Sequence, residues 1–90
     1  MKISVEISLY PLANDYLPPI DSFIKSLYKH TGLEVHTSQL STMVIGEYEE
    51  VMKALHDEIF TSLEKMNQAS FVIKLLKGDA KADVAIEGYR

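Results

Sequence analysis

Residues 2–10 alternate without interruption: Ile3, Val5, Ile7 and Leu9 fall on one side, Lys2, Ser4, Glu6, Ser8 and Tyr10 on the other. Period two over so long a run fits a β-strand with one face in a core, and it lays no continuous stripe on a helix. Such a strand obliges the rest of the chain to supply hydrogen-bond partners for its edges and a layer for its apolar face. Pro11 closes it, because proline donates nothing to a ladder.

The remaining pattern supplies those parts. Pro18 and Pro19 suit a helix entry, and Ile20, Phe23, Ile24, Leu27 and Tyr28 recur at three and four, predicting a helix over residues 19–30. Gly32 is placed to take a left-handed cap. Residues 33–38 and 41–48 read as a hairpin around Gln39-Leu40, without Asn-Gly or Asp-Gly turn chemistry. Val51, Leu55, Ile59 and Leu63 mark a second helix over residues 49–66, with Glu49 and Glu50 suiting its N-terminal dipole. Residues 69–77 form a fourth strand, with Phe71, Ile73 and Leu75 opposite Val72, Lys74 and Leu76. Gly78-Asp79 ends it, and Val84 and Ile86 allow a short extra strand.

The order βαββαβ, with right-handed crossovers, puts both helices on one face of a four-stranded antiparallel sheet in the order 4-1-3-2. The expected fold is an α+β, ferredoxin-like two-layer sandwich. Residues 1–79 make the domain and residues 80–90 a tail. The other sheet face is expected to lie uncovered by this chain. It should carry Ser4, Glu6, Ser8 and Tyr10, then Glu34, His36 and Ser38, then Thr42, Val44 and Gly46, then Val72, Lys74 and Leu76. Thr37, Ser41 and Glu47 take the opposite parity, toward the helices. A second copy of the chain is the expected cover.

Ninety residues hold one small core, which favours oligomerisation. The chain has no cysteine, which removes disulfides and thiolate metal sites and fits a reducing compartment. No apolar run reaches the length of a signal or membrane segment, so the expectation is a cytoplasmic protein without a membrane partner. Net charge is −4, and Arg90 is the single arginine. Without a basic stripe, nucleic acid is not an expected partner. His30, His36 and His56 show no metal-ligand spacing, so no metal is expected.

The segment from Thr37 to Tyr48 is the most informative for function. Thr37, Ser38, Ser41, Thr42 and Glu47 crowd strands that would ordinarily favour Val, Ile and aromatics. Such groups donate and accept at short reach, which suits a small polar ligand. Glu6, on a central strand between Ser4 and Ser8, can hydrogen-bond an aminopyrimidine or hydroxyl; equally, it can sit on a solvated sheet face. Thr37 and Ser41 serve either a pocket rim or the hairpin end, and Glu47 either a ligand or the cap of the second helix. Gly46 marks a bulge, a close approach or a packing accommodation. No nucleophile–base–orienter set is evident, so binding is favoured over catalysis.

Four stretches carry a resemblance. They are Ile3-Ser-Val-Glu-Ile-Ser-Leu-Tyr-Pro-Leu12, Asp15-Tyr-Leu-Pro-Pro-Ile20, Gly32-Leu-Glu-Val-His-Thr37 and Ser41-Thr-Met-Val-Ile-Gly-Glu-Tyr-Glu-Glu-Val-Met52. In that order the chain resembles the YkoF-like thiamine-binding family over about residues 2–79. The resemblance implies a ferredoxin-like fold in homodimers or homotetramers. It also implies binding of thiamine or its hydroxymethylpyrimidine part, with no reaction catalysed and no cofactor. Some members carry two repeats; this chain has one, so a second subunit would supply the other half. Glu6 and Ser8 match the first-strand motif, and Thr37, Ser41, Thr42 and Glu47 match the hairpin; these six are the ligand contacts the resemblance implies. A thiazolium cation could meet Tyr10, Tyr16 or Tyr48. Two rivals stand beside the binding reading. One is an oligomeric structural or regulatory module without a ligand; the other is a small dimeric enzyme of the same fold.

Overall fold

The computed structural model describes residues 1–81. Its elements are β1 (Lys2–Pro11), α1 (Leu17–Tyr28), β2 (Glu34–Thr37), β3 (Thr42–Glu47), α2 (Tyr48–Glu64) and β4 (Ala69–Lys77). All strand pairs are antiparallel and the sheet order is β2-β3-β1-β4, the expected ferredoxin-like arrangement. The helices close one face. Ile3, Val5, Ile7 and Leu9 meet Phe23 and Leu27 of α1 and Val51 and Leu55 of α2 there. Full burial of each such side chain contributes roughly 1.5–3 kcal/mol. The region around Val84 and Ile86 lies outside the described residues.

Pro11 is the last rung of β1, opposite Ala69, and does not fall outside the strand. Proline is tolerated there because its missing donor would have pointed away from β4. α1 begins at Leu17, two residues before Pro19, with both prolines in its first turn. Gly32 takes no left-handed cap; among the described residues only Gly78 has positive φ, at 111°.

Register assigns every side chain to a face. Val5, Val44 and Val35 stand in one row, and Glu6, Met43 and His36 in the next. Thr42, Val44 and Gly46 therefore face the helices, which corrects the expectation for β3. Ser41 and Glu47 fall on the opposite face, again the reverse of the expected parity. The reason is local. Met43, Val44 and Ile45 are three consecutive apolar residues, and period two cannot say which of two faces such a run presents. Gly46 breaks the tie: a Cβ there would lie 2.8 Å from Leu33 Cδ2 and 3.2 Å from Val51 Cγ2. It is a packing accommodation for aliphatic neighbours, and the ladder runs through it without a bulge.

Backbone direction along β1 is equally strict. Leu12 N–H donates to Gln68 O (3.1 Å) and Gly78 N–H to Lys2 O (2.8 Å), so even-numbered residues turn their polar groups to β4. Tyr48 N–H donates to Met1 O (2.8 Å), so odd-numbered residues turn theirs to β3.

The face opposite the helices is not wholly open, contrary to expectation. After β4 the chain crosses back over one end of it. Ser4 Oγ donates to Gly78 O and accepts from Ala80 N–H, both at 2.8 Å, and Lys81 reaches Glu34 on the far strand. Leu76, Ser4, Ile45 and Glu34 form the row beneath, and Ser4 and Ile45 are buried. The Lys81 ammonium, with His36 adding to it, holds the Glu34 carboxyl below its ordinary range.

Two outcomes follow from these contacts. Gly46→Val should cost about 1–3 kcal/mol through overpacking, read as a lower denaturant midpoint with an unchanged m-value. Because the folded pKa of Glu34 is depressed, its contribution is complete above the ordinary carboxylate range and is lost as pH falls. Lys81→Ala should move the Glu34 titration upward in carboxyl-detected NMR; an unmoved titration would show that the strap does not sit on Glu34.

Candidate functional site

A cleft of about 500 Å³ opens at the end of the sheet where β1 outruns β3. Pairing between them stops at Ile7 opposite Thr42, whereas β1 continues to Pro11 against β4. The β1–α1 loop supplies Tyr16, α1 supplies Ile20, Phe23 and Ile24, and the β2–β3 hairpin closes the other side from Thr37 to Thr42. The volume suits a small heterocycle.

Serine chemistry builds the hairpin in place of Asn-Gly. Ser38 N–H donates to Ser41 O at 2.9 Å, and Ser38 Oγ accepts from Leu40 N–H at 3.2 Å and Ser41 N–H at 3.4 Å. Ser8 Oγ donates to Leu40 O at 3.4 Å and ties the turn to β1.

The hydroxyls form two sets. Thr37 and Thr42 are cross-strand neighbours with oxygens 3.2 Å apart, and Tyr28 OH donates to Thr37 Oγ1 at 3.3 Å. Thr42 is 3% exposed whereas Thr37 is exposed, so the pair makes a polar floor that runs from the core out to the surface. On the other side of the hairpin, Ser41 Oγ donates to Glu6 Oε2 at 2.9 Å, and Lys74 Nζ stands 3.8 Å from Glu6 Oε1.

Four of the six expected contacts, Ser8, Thr37, Ser41 and Thr42, line the cleft. Glu6 stands behind Ser41, outside the lining. Glu47 is not brought there. It lies at the opposite end of β3, about 17 Å away at strand rise, where its carboxylate takes the Met1 ammonium at 3.0 Å. It is the N-cap residue of α2 but makes no side-chain cap bond. Tyr10 and Tyr16 line the cleft, whereas Tyr48 starts α2 at the far end.

Sequence reasoning missed the backbone of Leu9. As an odd-numbered residue of β1 it turns its N–H and C=O toward the side where β3 has already ended. Among the described residues no backbone or side-chain partner meets either group. The cleft therefore contains a donor and an acceptor side by side, held by a strand at the centre of the sheet. Pro11 adds a carbonyl of the same direction. Pattern reading gives these strands nearly equal lengths, residues 2–10 and 41–48, and so conceals the mismatch of ten residues against six that leaves this edge bare.

A model of the YkoF-related family matches residues 2–75. The chain belongs to the YkoF-related family. No curated protein matches the sequence. Among solved structures, a hypothetical protein of Methanocaldococcus jannascii superposes with a TM-score of 0.75 at 22% identity, covering 92% of this chain and 87% of that one. A protein of Streptococcus pneumoniae gives 0.71 at 17% identity, covering 89% and 90%. A protein of Thermotoga maritima, provisionally named for thiamine biosynthesis or salvage, gives 0.64 at 18% identity, covering 83% and 82%. These likenesses carry the fold of this YkoF-related chain. No helix among its described residues is long and apolar enough to cross a membrane.

Proposed function

We propose that this protein binds an aminopyrimidine in the cytoplasm, either hydroxymethylpyrimidine or the pyrimidine end of thiamine, and does not turn it over. The unpaired edge of Leu9 carries the reading. In an extended residue, N–H and C=O project side by side in one direction. An aminopyrimidine offers the complement: the exocyclic amino group donates, and the adjacent ring nitrogen accepts. The Thr37–Thr42 floor and Ser8 suit a hydroxymethyl group, and the faces of Tyr10 and Tyr16 suit the thiazolium cation of the whole vitamin. Glu6 acts through Ser41, whose hydroxyl it orients. Family membership and the provisional name of the Thermotoga maritima neighbour support the same ligand class.

Isothermal titration with hydroxymethylpyrimidine and with thiamine tests the proposal, with NMR of the recovered ligand as the check on turnover. Saturable binding near one site per chain, with unchanged ligand, is the expected result. An analogue with an oxo group in place of the amino group presents the reversed donor–acceptor edge. It should bind about a hundredfold more weakly, because two buried groups are left mismatched. Thr37→Val should weaken binding by roughly fivefold, about 1 kcal/mol, without loss of fold. Absence of heat and of thermal stabilisation with both compounds would sink the proposal.

A further inference from the structure

The aliphatic hydroxyls around the cleft are not free to choose between donating and accepting. Each carries one proton and two lone pairs. Ser8 spends its proton on Leu40 O, Ser38 on Ser41 O and Ser41 on Glu6 Oε2. To a ligand these three therefore offer lone pairs. The Thr37–Thr42 pair ends differently, and burial decides how.

Thr42 is buried, and among the described residues its hydroxyl meets no side chain but Thr37. If Thr37 donated to it, the Thr42 proton would be shut in the core without an acceptor. The penalty for stranding such a group exceeds what one hydrogen bond returns. Thr42 is therefore the donor of the pair. Tyr28 OH donates to the same Thr37 oxygen, 3.3 Å away. Thr37 Oγ1 thus accepts twice, which fills both of its lone pairs. Its own proton has no acceptor among the described residues, and Thr37 lines the cleft. Tyr28 itself stands outside the lining, at the last residue of α1.

We propose that Tyr28 is a positioning residue for the cleft: by filling a lone pair of Thr37 it holds that hydroxyl as a donor, aimed at an acceptor on the ligand. The role rests on the aminopyrimidine reading and deepens it. The acceptor is the oxygen of the hydroxymethyl group, and the proton of that group goes to Ser8 or Ser41, which can only accept. Donor and acceptors lie on opposite faces of the sheet, so the ligand hydroxyl is received in one orientation.

Tyr28 is half-exposed, and phenylalanine keeps its ring, so Tyr28→Phe removes the phenolic donor alone and should leave the far-UV circular dichroism unchanged. Calorimetry with three compounds tests the role: hydroxymethylpyrimidine, the aldehyde, whose oxygen only accepts, and the methyl compound, which has no oxygen. The wild-type protein should bind the aldehyde nearly as tightly as the alcohol, and the methyl compound about fivefold more weakly. Tyr28→Phe should weaken the alcohol and the aldehyde by about threefold and leave the methyl compound unaffected. A ligand-free readout comes from the three-bond NMR couplings of Thr37, which should report one χ1 rotamer in the wild type and averaging in Tyr28→Phe. An aldehyde as weak as the methyl compound would show that Thr37 accepts, and would overturn the proposal. So would an equal loss for all three compounds in Tyr28→Phe, which marks a merely structural role, or couplings unchanged by the substitution. Absence of binding by all three compounds would instead sink the aminopyrimidine reading, and this role with it, whatever the couplings show.

Discussion

The hydrogen-bond direction of β1 governs this molecule. Its even-numbered residues serve β4 and its odd-numbered residues serve β3, and the strand lies between the two from Ile3 to Ile7. From that one alternation follow the inward row of Ile3, Val5, Ile7 and Leu9 and the placement of Glu6 beside Lys74. The cleft follows as well. Where β3 stops short, the groups β1 would have spent on it are left facing a cavity. An unmade strand pairing thus leaves a bare donor–acceptor edge, and its rigidity comes from the strand on the other side. A site built this way needs little reorganisation on binding, because the donor and acceptor are already held in place.

The polar parts of the cleft divide by the face of the sheet. Thr37 and Thr42 lie on the helix side and are linked to Tyr28, so the floor is tied to α1 as well as to the sheet. Ser41, half-buried, and Glu6, its side chain about half exposed, lie on the other side. A ligand entering between them meets neutral hydroxyls first and the carboxylate only through Ser41. That arrangement favours a neutral heterocycle over a strongly anionic one, since no cation lines the cleft among the described residues.

Much of the fold was legible in the sequence, because β1, α1 and α2 each carry an unambiguous period and β4 is a short apolar run bounded by Gly78-Asp79. Ala69–Lys77 has the expected limits, and the topology follows from the order of elements. The faces of β3 were not legible. Met43-Val44-Ile45 reads equally well in either parity, and only tertiary partners, Leu33 and Val51 against Gly46, decide it. The strap over Ser4 and Ile45 was hidden for a related reason: Gly78 to Lys81 has no periodic pattern, and its role rests on contacts with strands distant in sequence. At the cleft, the hydroxyl-rich hairpin pointed to Thr37, Ser41 and Thr42 and the first-strand resemblance to Ser8, whereas residue types are silent about Leu9, whose side chain is core and whose backbone faces the cleft. Glu47 shows the converse, a residue of suitable chemistry that the length of β3 carries to the wrong end.

Within this domain the central strand is also the first one synthesised. On the ribosome, β1 emerges with both edges bare, meets β3 only after some forty further residues, and completes its ladder only when Lys77 is free of the exit tunnel. Until then Ile3, Val5, Ile7 and Leu9 have no lasting shelter, and local helices cannot supply it. Such a domain commits to its native pairing late, only once β4 is available, and its nascent form is the species most exposed to chaperones and to mispairing with a neighbouring chain.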